Sequence, residues 1–204
     1  MIYILIALIA AYLLGSTPTA YIFGKLLKGI DIRDYGSGNV GATNVFRTVG
    51  KGPGLVVFFL DFLKGLLAVT VIPLLLKKVY PGVDGPSFVY VLILLGAAVI
   101  AGHIWTVFLR FKGGKGVATT AGVLTGLAPG IFLGGLVVWV TVFAIWRYVS
   151  LASIAAAVSM PVFAVILGKD LGLVIFCGIL CVVGVHAHRA NIKRLLQGSE
   201  RKLR

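Results

Sequence analysis

Apolar residues in this chain come in runs too long for a soluble fold, separated by short polar, glycine-rich segments. A membrane-crossing helix needs about 20 mostly apolar residues. Residues 2–27 form the first run, interrupted by Gly15-Ser16-Thr17-Pro18-Thr19. Residues 54–76 form the second and carry Asp61 and Lys64; residues 88–109 form the third. The chain is then apolar from 117 to 146, more than one crossing needs, and Pro129-Gly130 breaks it. That pattern predicts a short helix over 117–128 and a fuller one to 146. Residues 151–167 and 171–187 complete the series. The polar segment 77–87 between the second and third runs is a turn, punctuated by Pro81-Gly82 and Asp84-Gly85-Pro86. The expected fold is all-α: a polytopic integral membrane protein with seven transmembrane helices in one domain spanning 1–204. Its fourth helix is short, because 117–128 at a 1.5 Å rise reaches about 18 Å against a hydrocarbon core of roughly 30 Å.

Composition strengthens the membrane reading. Hydrophobic residues make up 59% and charged residues 12% of the 204, where a globular domain averages roughly 45–50% and about 25%. A soluble domain of this size has no way to hide that much apolar surface. Nineteen Lys and Arg oppose six Asp and Glu, a net charge of +13. Fifteen of those cations lie in residues 25–53, 110–116, 147–150 and 188–204, while only Lys77, Lys78 and Lys169 fall in the opposite loops. The positive-inside rule puts the basic segments in the cytoplasm, the N-terminus outside and the C-terminus inside. No basic stretch precedes the first apolar run, so a cleavable signal peptide is not expected. Cys177 and Cys181, four apart in an apolar run, read as core filler on one helix face.

Cations facing something anionic direct attention to the polar segments. The first holds Gly36, Ser37, Gly38, Asn39, Gly41, Thr43 and Asn44, followed by Arg47. Its G-x-G-x-x-G spacing lacks the strand and downstream acid of a dinucleotide fold. Glycines still allow backbone N–H groups to converge on an anion, and Arg47 adds a fork matched to phosphate. The second holds Lys112, Gly113, Gly114, Lys115 and Gly116 at the start of the short helix, where free N–H groups and the helix dipole favour an anion. His103 lies upstream, near the end of the third run; a lone histidine there is more often a hydrogen-bonded core residue. The third runs from His186 through His188, Asn191, Lys193 and Arg194 to Gly198 and Glu200. At i, i+3, His188 and Asn191 share a helix face. No carboxylate adjoins the histidines, so no metal is expected. Asp61 and Lys64, also i, i+3, are costly in lipid unless paired. Ser150 and Ser153 open the sixth run beside Arg147, where hydroxyls usually cap a helix.

Taken together, the three segments closely resemble the bacterial PlsY-type family of acyl-phosphate:glycerol-3-phosphate acyltransferases. The resemblance rests on Ser37 to Asn44 with Arg47, on His103 with 111–116, and on His188 to Leu195 with Gly198 and Glu200; Gly15-Ser16-x-Pro18-x-x-Tyr21 also fits. Thr106 stands where the family usually has proline, so a less bent helix is expected there. The resemblance implies transfer of a fatty acyl group from acyl phosphate to the 1-hydroxyl of glycerol 3-phosphate. The products are lysophosphatidic acid and phosphate, the first step of bacterial phospholipid synthesis, at the cytoplasmic (inner) membrane. It implies a catalytic set of His188, Asn191, Ser37 and Lys115. It implies substrate contacts from Gly38, Asn39, Gly41, Thr43, Asn44, Arg47, Lys112, Gly113, Gly114, Gly116, His103 and Ser153. Lys115 and Ser37 are expected on the acyl-phosphate headgroup, with Arg47, Lys112, Asn44 and His188 on glycerol 3-phosphate. The proton is expected to go to His188 or to an acyl-phosphate oxygen, by direct transfer without an acyl-enzyme. No cofactor and no nucleic acid are expected. The expected partners are membrane lipids and, functionally, a soluble enzyme that makes acyl phosphate. A phosphate or organophosphate transporter and a lipid-binding scaffold are the competing readings.

Overall fold

The computed structural model describes residues 1–83, 85 and 87–203. Asp84 and Pro86 of the expected 77–87 turn lie outside the described residues. The secondary structure found among the described residues is helical. The chain packs as two compact units, Met1–Leu127 and Ala128–Arg204.

The first unit begins with α1 (Ile2–Ser16) and α2 (Thr19–Lys28). They are one apolar run broken at Thr17-Pro18. Proline has no N–H to continue the ladder and pushes the residue before it towards extended backbone, and Thr17 sits at φ −54°, ψ 113°. Left-handed Gly29, at φ 66°, closes α2. A 3-10 turn (Ile32–Asp34) and α3 (Ala42–Thr48) then fold the polar 29–50 segment back on the bundle. Buried Ile32, Val40 and Val45 pack with Ala20, Val57 and Leu109, so this segment is anchored on an apolar cluster of its own.

Next come α4 (Lys51–Val79), α5 (Phe88–Ile104) and α6 (Val117–Leu127). Two seams hold these helices at backbone distance. A Cβ on Gly15 of α1 would overlap the Val99 carbonyl of α5, and one on Gly102 of α5 would overlap the Tyr12 carbonyl of α1. Gly65 of α4 and Gly122 of α6 meet the Thr119 and Phe62 carbonyls in the same reciprocal way. Small residues replace hydrophobic driving force where lipid is the solvent.

The second unit contains α7 (Pro129–Trp146), α8 (Val149–Ile166), α9 (Leu171–Ala187) and α10 (Arg189–Leu196). Pro129 starts α7 at a position where its missing N–H costs nothing. The Asp170 carboxylate caps α9 by accepting the Leu173 N–H at 3.1 Å.

Leu5, Leu13, Phe59, Leu74, Val137 and Val182 point outward, whereas Asp61, Lys64, His103 and Thr119 are buried. Apolar outside and polar inside is the arrangement lipid demands. Among the described residues, five segments are long and apolar enough to cross a bilayer: Ile2–Lys28, Lys51–Val79, Phe88–Leu109, Pro129–Trp146 and Val149–Ile166. A sixth is reached if α9 and α10, bent by 58°, count as one. α6 is shorter than a crossing, as the length of its run suggested. The third run departs from expectation, since the helix ends at Ile104 rather than running to 109. Thr106 takes an extended backbone and donates its hydroxyl to the Ser16 carbonyl at 2.5 Å, diverting the chain into a 3-10 turn (Val107–Leu109). The question of a straighter helix at Thr106 therefore does not arise, because the helix has already stopped.

Candidate active site

In the first unit, the 36–47 loop is organised around one side chain. Asn44 is buried; its Nδ2 donates to the carbonyls of Ile32 (3.1 Å), Tyr35 (3.0 Å) and Asn39 (3.0 Å), and its Oδ1 accepts the Ser37 N–H at 2.9 Å. The amide is fully engaged by the loop. Asn44, expected on substrate, here shapes the loop that presents its neighbours. Gly36, at φ 65°, must be glycine, since a Cβ there would strike Asn44 Oδ1 and the Thr48 methyl. Ser37 and Gly38 are exposed at the tip. Asn39, Gly41 (which precedes α3), Thr43 on its first turn and Arg47 on its last are half-buried. Asn39 Oδ1 is a buried acceptor with no hydrogen-bond partner among the described residues. At the base of the loop, the Arg33 guanidinium bonds Asp31 at 2.6 Å and holds its carboxyl down to about 2.

The 111–116 loop starts with Arg110 and Phe111 in the left-handed region, at φ 54° and 62°, an uncommon state for non-glycine residues. Gly113 N–H donates to the Ile104 carbonyl at 3.0 Å and Gly114 N–H to the His103 carbonyl at 3.1 Å. These two donors close the end of α5, so they are not part of an open anion nest. Both positions are also crowded: a Cβ on Gly113 would overlap the His103 carbonyl, and one on Gly114 would overlap His103 Nε2 and press on the Val40 carbonyl. That contact joins the first and second segments. Exposed Lys112 and half-buried Lys115 ride on this turn, and Gly116, at φ 78°, leads into α6.

His103 is buried, with Nδ1 3.1 Å from Thr119 Oγ1 and 3.7 Å from Asp61 Oδ1. It belongs to a polar core rather than to an exposed binding surface. Asp61 and Lys64 form the expected ion pair at 2.8 Å. With Ser16, Thr19, Val40 and Gly114, these three groups line a narrow cleft at the α1–α2 break. The Ser16 hydroxyl there is buried without a partner among the described residues.

His188, Asn191 and Ser153 belong to the second unit. His188 is buried at the junction of α9 and α10, and Ile192 N–H still reaches its carbonyl at 2.9 Å, so helical spacing runs through the bend. Its Nδ1 lies 2.8 Å from the Gly184 carbonyl. A carbonyl only accepts, so Nδ1 carries the proton and Nε2 is the acceptor nitrogen of the neutral ring. Asn191 Nδ2 donates to Glu200 Oε1 at 2.6 Å, Ser150 Oγ to the same oxygen at 2.7 Å, and Arg194 Nε to Oε2 at 2.6 Å. Burial would raise the Glu200 carboxyl, but these donors together hold it below the usual range. Ser150 therefore ties to Glu200 instead of capping α8, whose capping residue Tyr148 makes no side-chain cap bond. Ser153 accepts from Trp139 Nε1 at 3.1 Å and donates to the Val149 carbonyl at 2.8 Å. The hydroxyl of Ser153, a residue expected on substrate, links α7 and α8.

Sequence reasoning missed the anchoring role of Glu200, the bond from Thr19 Oγ1 to Asp61 Oδ1 at 2.6 Å and the one from Thr106 to Ser16. The signal available was the polar interruption at residues 15–19 opposite two charges in the second run.

Comparisons with known proteins agree on one family. Residues 5–198 match the family model described as glycerol-3-phosphate acyltransferase. A relative named glycerol-3-phosphate acyltransferase 2, from Moorella thermoacetica, is 46% identical over 199 residues, covering 98% of this chain and 97% of its own. The fold is similar to a crystal structure of PlsY (YgiH), an integral membrane glycerol 3-phosphate acyltransferase, in its glycerol 3-phosphate form. The TM-score is 0.86 at 42% identity, over 98% of this chain and 96% of that one. The lysophosphatidic acid form of PlsY matches at 0.83 and 42% identity, over 98% and 95%. With the family match running through both units, this chain belongs to the glycerol-3-phosphate acyltransferase family and is a multi-pass membrane acyltransferase.

Proposed function

We propose that this chain moves a fatty acyl group from an acyl phosphate directly to the 1-hydroxyl of glycerol 3-phosphate. The observation that carries the reading is the full-length likeness to PlsY in both its glycerol 3-phosphate and lysophosphatidic acid forms, the acceptor and the product of such a transfer. The hydroxyl oxygen attacks the acyl carbon, the bond from that carbon to the phosphate oxygen breaks, and phosphate leaves with the electron pair. An acyl phosphate is a mixed anhydride with a good leaving group, so positioning and electrostatics suffice without a covalent intermediate.

Ser37 and Lys115 take the acyl-phosphate headgroup, and Arg47 and Lys112 the glycerol 3-phosphate. The buried acceptor Asn39 Oδ1, without a partner among the described residues, suits a substrate hydroxyl. His188 Nε2 takes the proton, a role supported by the tautomer that the Gly184 carbonyl selects. Asn191 acts beside it, anchored by Glu200. Residues 1–204 work as one acyltransferase domain.

α6 and α9 bring the crossings to seven. The clustering of Lys and Arg supports an outside N-terminus and a cytoplasmic C-terminus in a bacterial inner membrane, with the chemistry on the cytoplasmic side. A soluble enzyme upstream supplies the acyl phosphate.

The deciding assay gives purified protein in detergent acyl phosphate and labelled glycerol 3-phosphate. Labelled lysophosphatidic acid and an equal amount of phosphate are expected. Uptake of glycerol 3-phosphate into proteoliposomes with no such product would overturn the reading in favour of a transporter.

A further inference from the structure

Within the first unit, one carboxylate gathers three elements. Asp61 Oδ1 of α4 accepts from Thr19 Oγ1 of α2 at 2.6 Å and pairs with Lys64 Nζ at 2.8 Å. It stands 3.7 Å from His103 Nδ1 of α5. Lys64 Nζ also donates to the Thr17 carbonyl, at the end of α1, at 3.3 Å. Both charged side chains are almost wholly buried. His103 continues the chain of contacts. Thr119 on the first turn of α6 holds its ring at 3.1 Å, its carbonyl takes the Gly114 N–H at 3.1 Å, and its Nε2 abuts Gly114. Gly114 in turn packs on the Val40 carbonyl of the other loop and is followed directly by Lys115.

A buried ion pair is a poor source of stability, since well-packed apolar residues of similar volume hold a core together as well or better. What it adds is direction: each bond sets an angle as well as a distance. Here the bonded atoms are Thr17 and Thr19 at the break in the first crossing, while the histidine that backs the glycine turn stands against the carboxylate at 3.7 Å, a packing contact rather than a hydrogen bond. We propose that Asp61 and Lys64 are positioning residues for acyl transfer. Through Thr19 and His103 they set the place of the Gly113-Gly114 turn and so of Lys115, without touching substrate themselves. The inference rests on the reading above that Lys115 takes the acyl-phosphate headgroup.

The test replaces the pair by apolar groups of similar volume, Asp61→Leu with Lys64→Met, so that no lone charge is left buried. A second variant, Thr19→Val, removes one bond to Asp61 and keeps the shape. Each purified protein is checked for monodispersity and melting temperature and assayed with both substrates varied. The expected result for the double variant is a wild-type melting temperature within a few degrees. Its KM for acyl phosphate rises about tenfold or more, with a lower kcat, while KM for glycerol 3-phosphate changes less than twofold. Thr19→Val shows the same split, several-fold in size, and stands alone if the double variant does not fold. A loss shared equally by both substrates, or kinetics within twofold of wild type in every folded variant, overturns the inference. If the wild-type protein makes no lysophosphatidic acid, the reading of function fails first, and the two failures are distinct.

Discussion

Asn191 Nδ2 lies 2.6 Å from Glu200 Oε1, so the asparagine expected to act in catalysis is held by a carboxylate nine residues downstream. The same carboxylate takes Ser150 from α8 and Arg194 from α10. Glu200→Gln keeps the shape but loses the charge that strengthens the Arg194 bond. Stability is expected to fall by about 1–3 kcal/mol, read as a lower melting temperature in detergent. Asn191→Ala should lose activity with a smaller loss of stability.

The pH dependence of that contact has a definite sign. The folded-state pKa of Glu200 is depressed, so its contribution is present above the ordinary glutamate value and is lost as pH falls through its own lower value. Melting temperature measured from pH 7 down to 3 should fall on the acid side. The Glu200→Gln variant should show a shallower fall over that limb. Equal slopes for the two proteins would remove Glu200 from the acid response.

His188→Gln is expected to lower kcat by about 10²–10⁴ at saturating substrate if Nε2 takes the proton, with little change in melting temperature. The pH–rate profile of the wild type should carry a limb that the variant lacks. Near-normal turnover in the variant would assign the proton to an acyl-phosphate oxygen.

Asn44→Ala strips three carbonyls and one N–H of their partner at once. A loss of about 2–4 kcal/mol in the local stability of the 36–47 loop follows, seen as faster hydrogen exchange there than elsewhere. Activity should fall with it, because the loop presents Ser37 and Arg47. Protection unchanged from wild type would mean the loop has another anchor.

Gly114→Ala has no room beside His103 and Val40. Activity should fall about 10–100-fold, because a displacement near 1 Å at a binding group is enough for that. Gly178→Ala on α9 meets nothing within 4 Å and serves as the control. It should leave turnover intact and stabilise its helix by at most about 1 kcal/mol. Kinetics of the two side by side separate crowding from a general effect of adding a methyl group.

The helices were legible wherever hydropathy alone decides. The run 171–187 and the helix Leu171–Ala187 coincide, and Pro129 opens α7 as its chemistry requires. Residues 105–109 look like more of the third span because their side chains are mostly apolar, yet one hydroxyl reaching the Ser16 carbonyl turns the backbone aside. α3, only seven residues long and mixed in polarity, carries no periodic signal to read. At the site, residue type singled out three segments but not which of their groups are already bonded within the chain. Asn44, Gly113 and Ser153 all have substrate-like chemistry in sequence, and all three direct it at their own chain. Donor accounting of that kind needs coordinates, because each partner lies at a different distance along the chain.

The reciprocal glycine seams set a mechanical condition on the enzyme. With Gly15 against Val99 and Gly102 against Tyr12, α1 and α5 have no side-chain cushion to deform, and α4 and α6 are locked the same way. Sliding either pair by a turn would drive a larger residue into a carbonyl. These four helices therefore act as a stiff frame, and any motion that admits a long-tailed lipid has to come from parts of the chain outside the two seams.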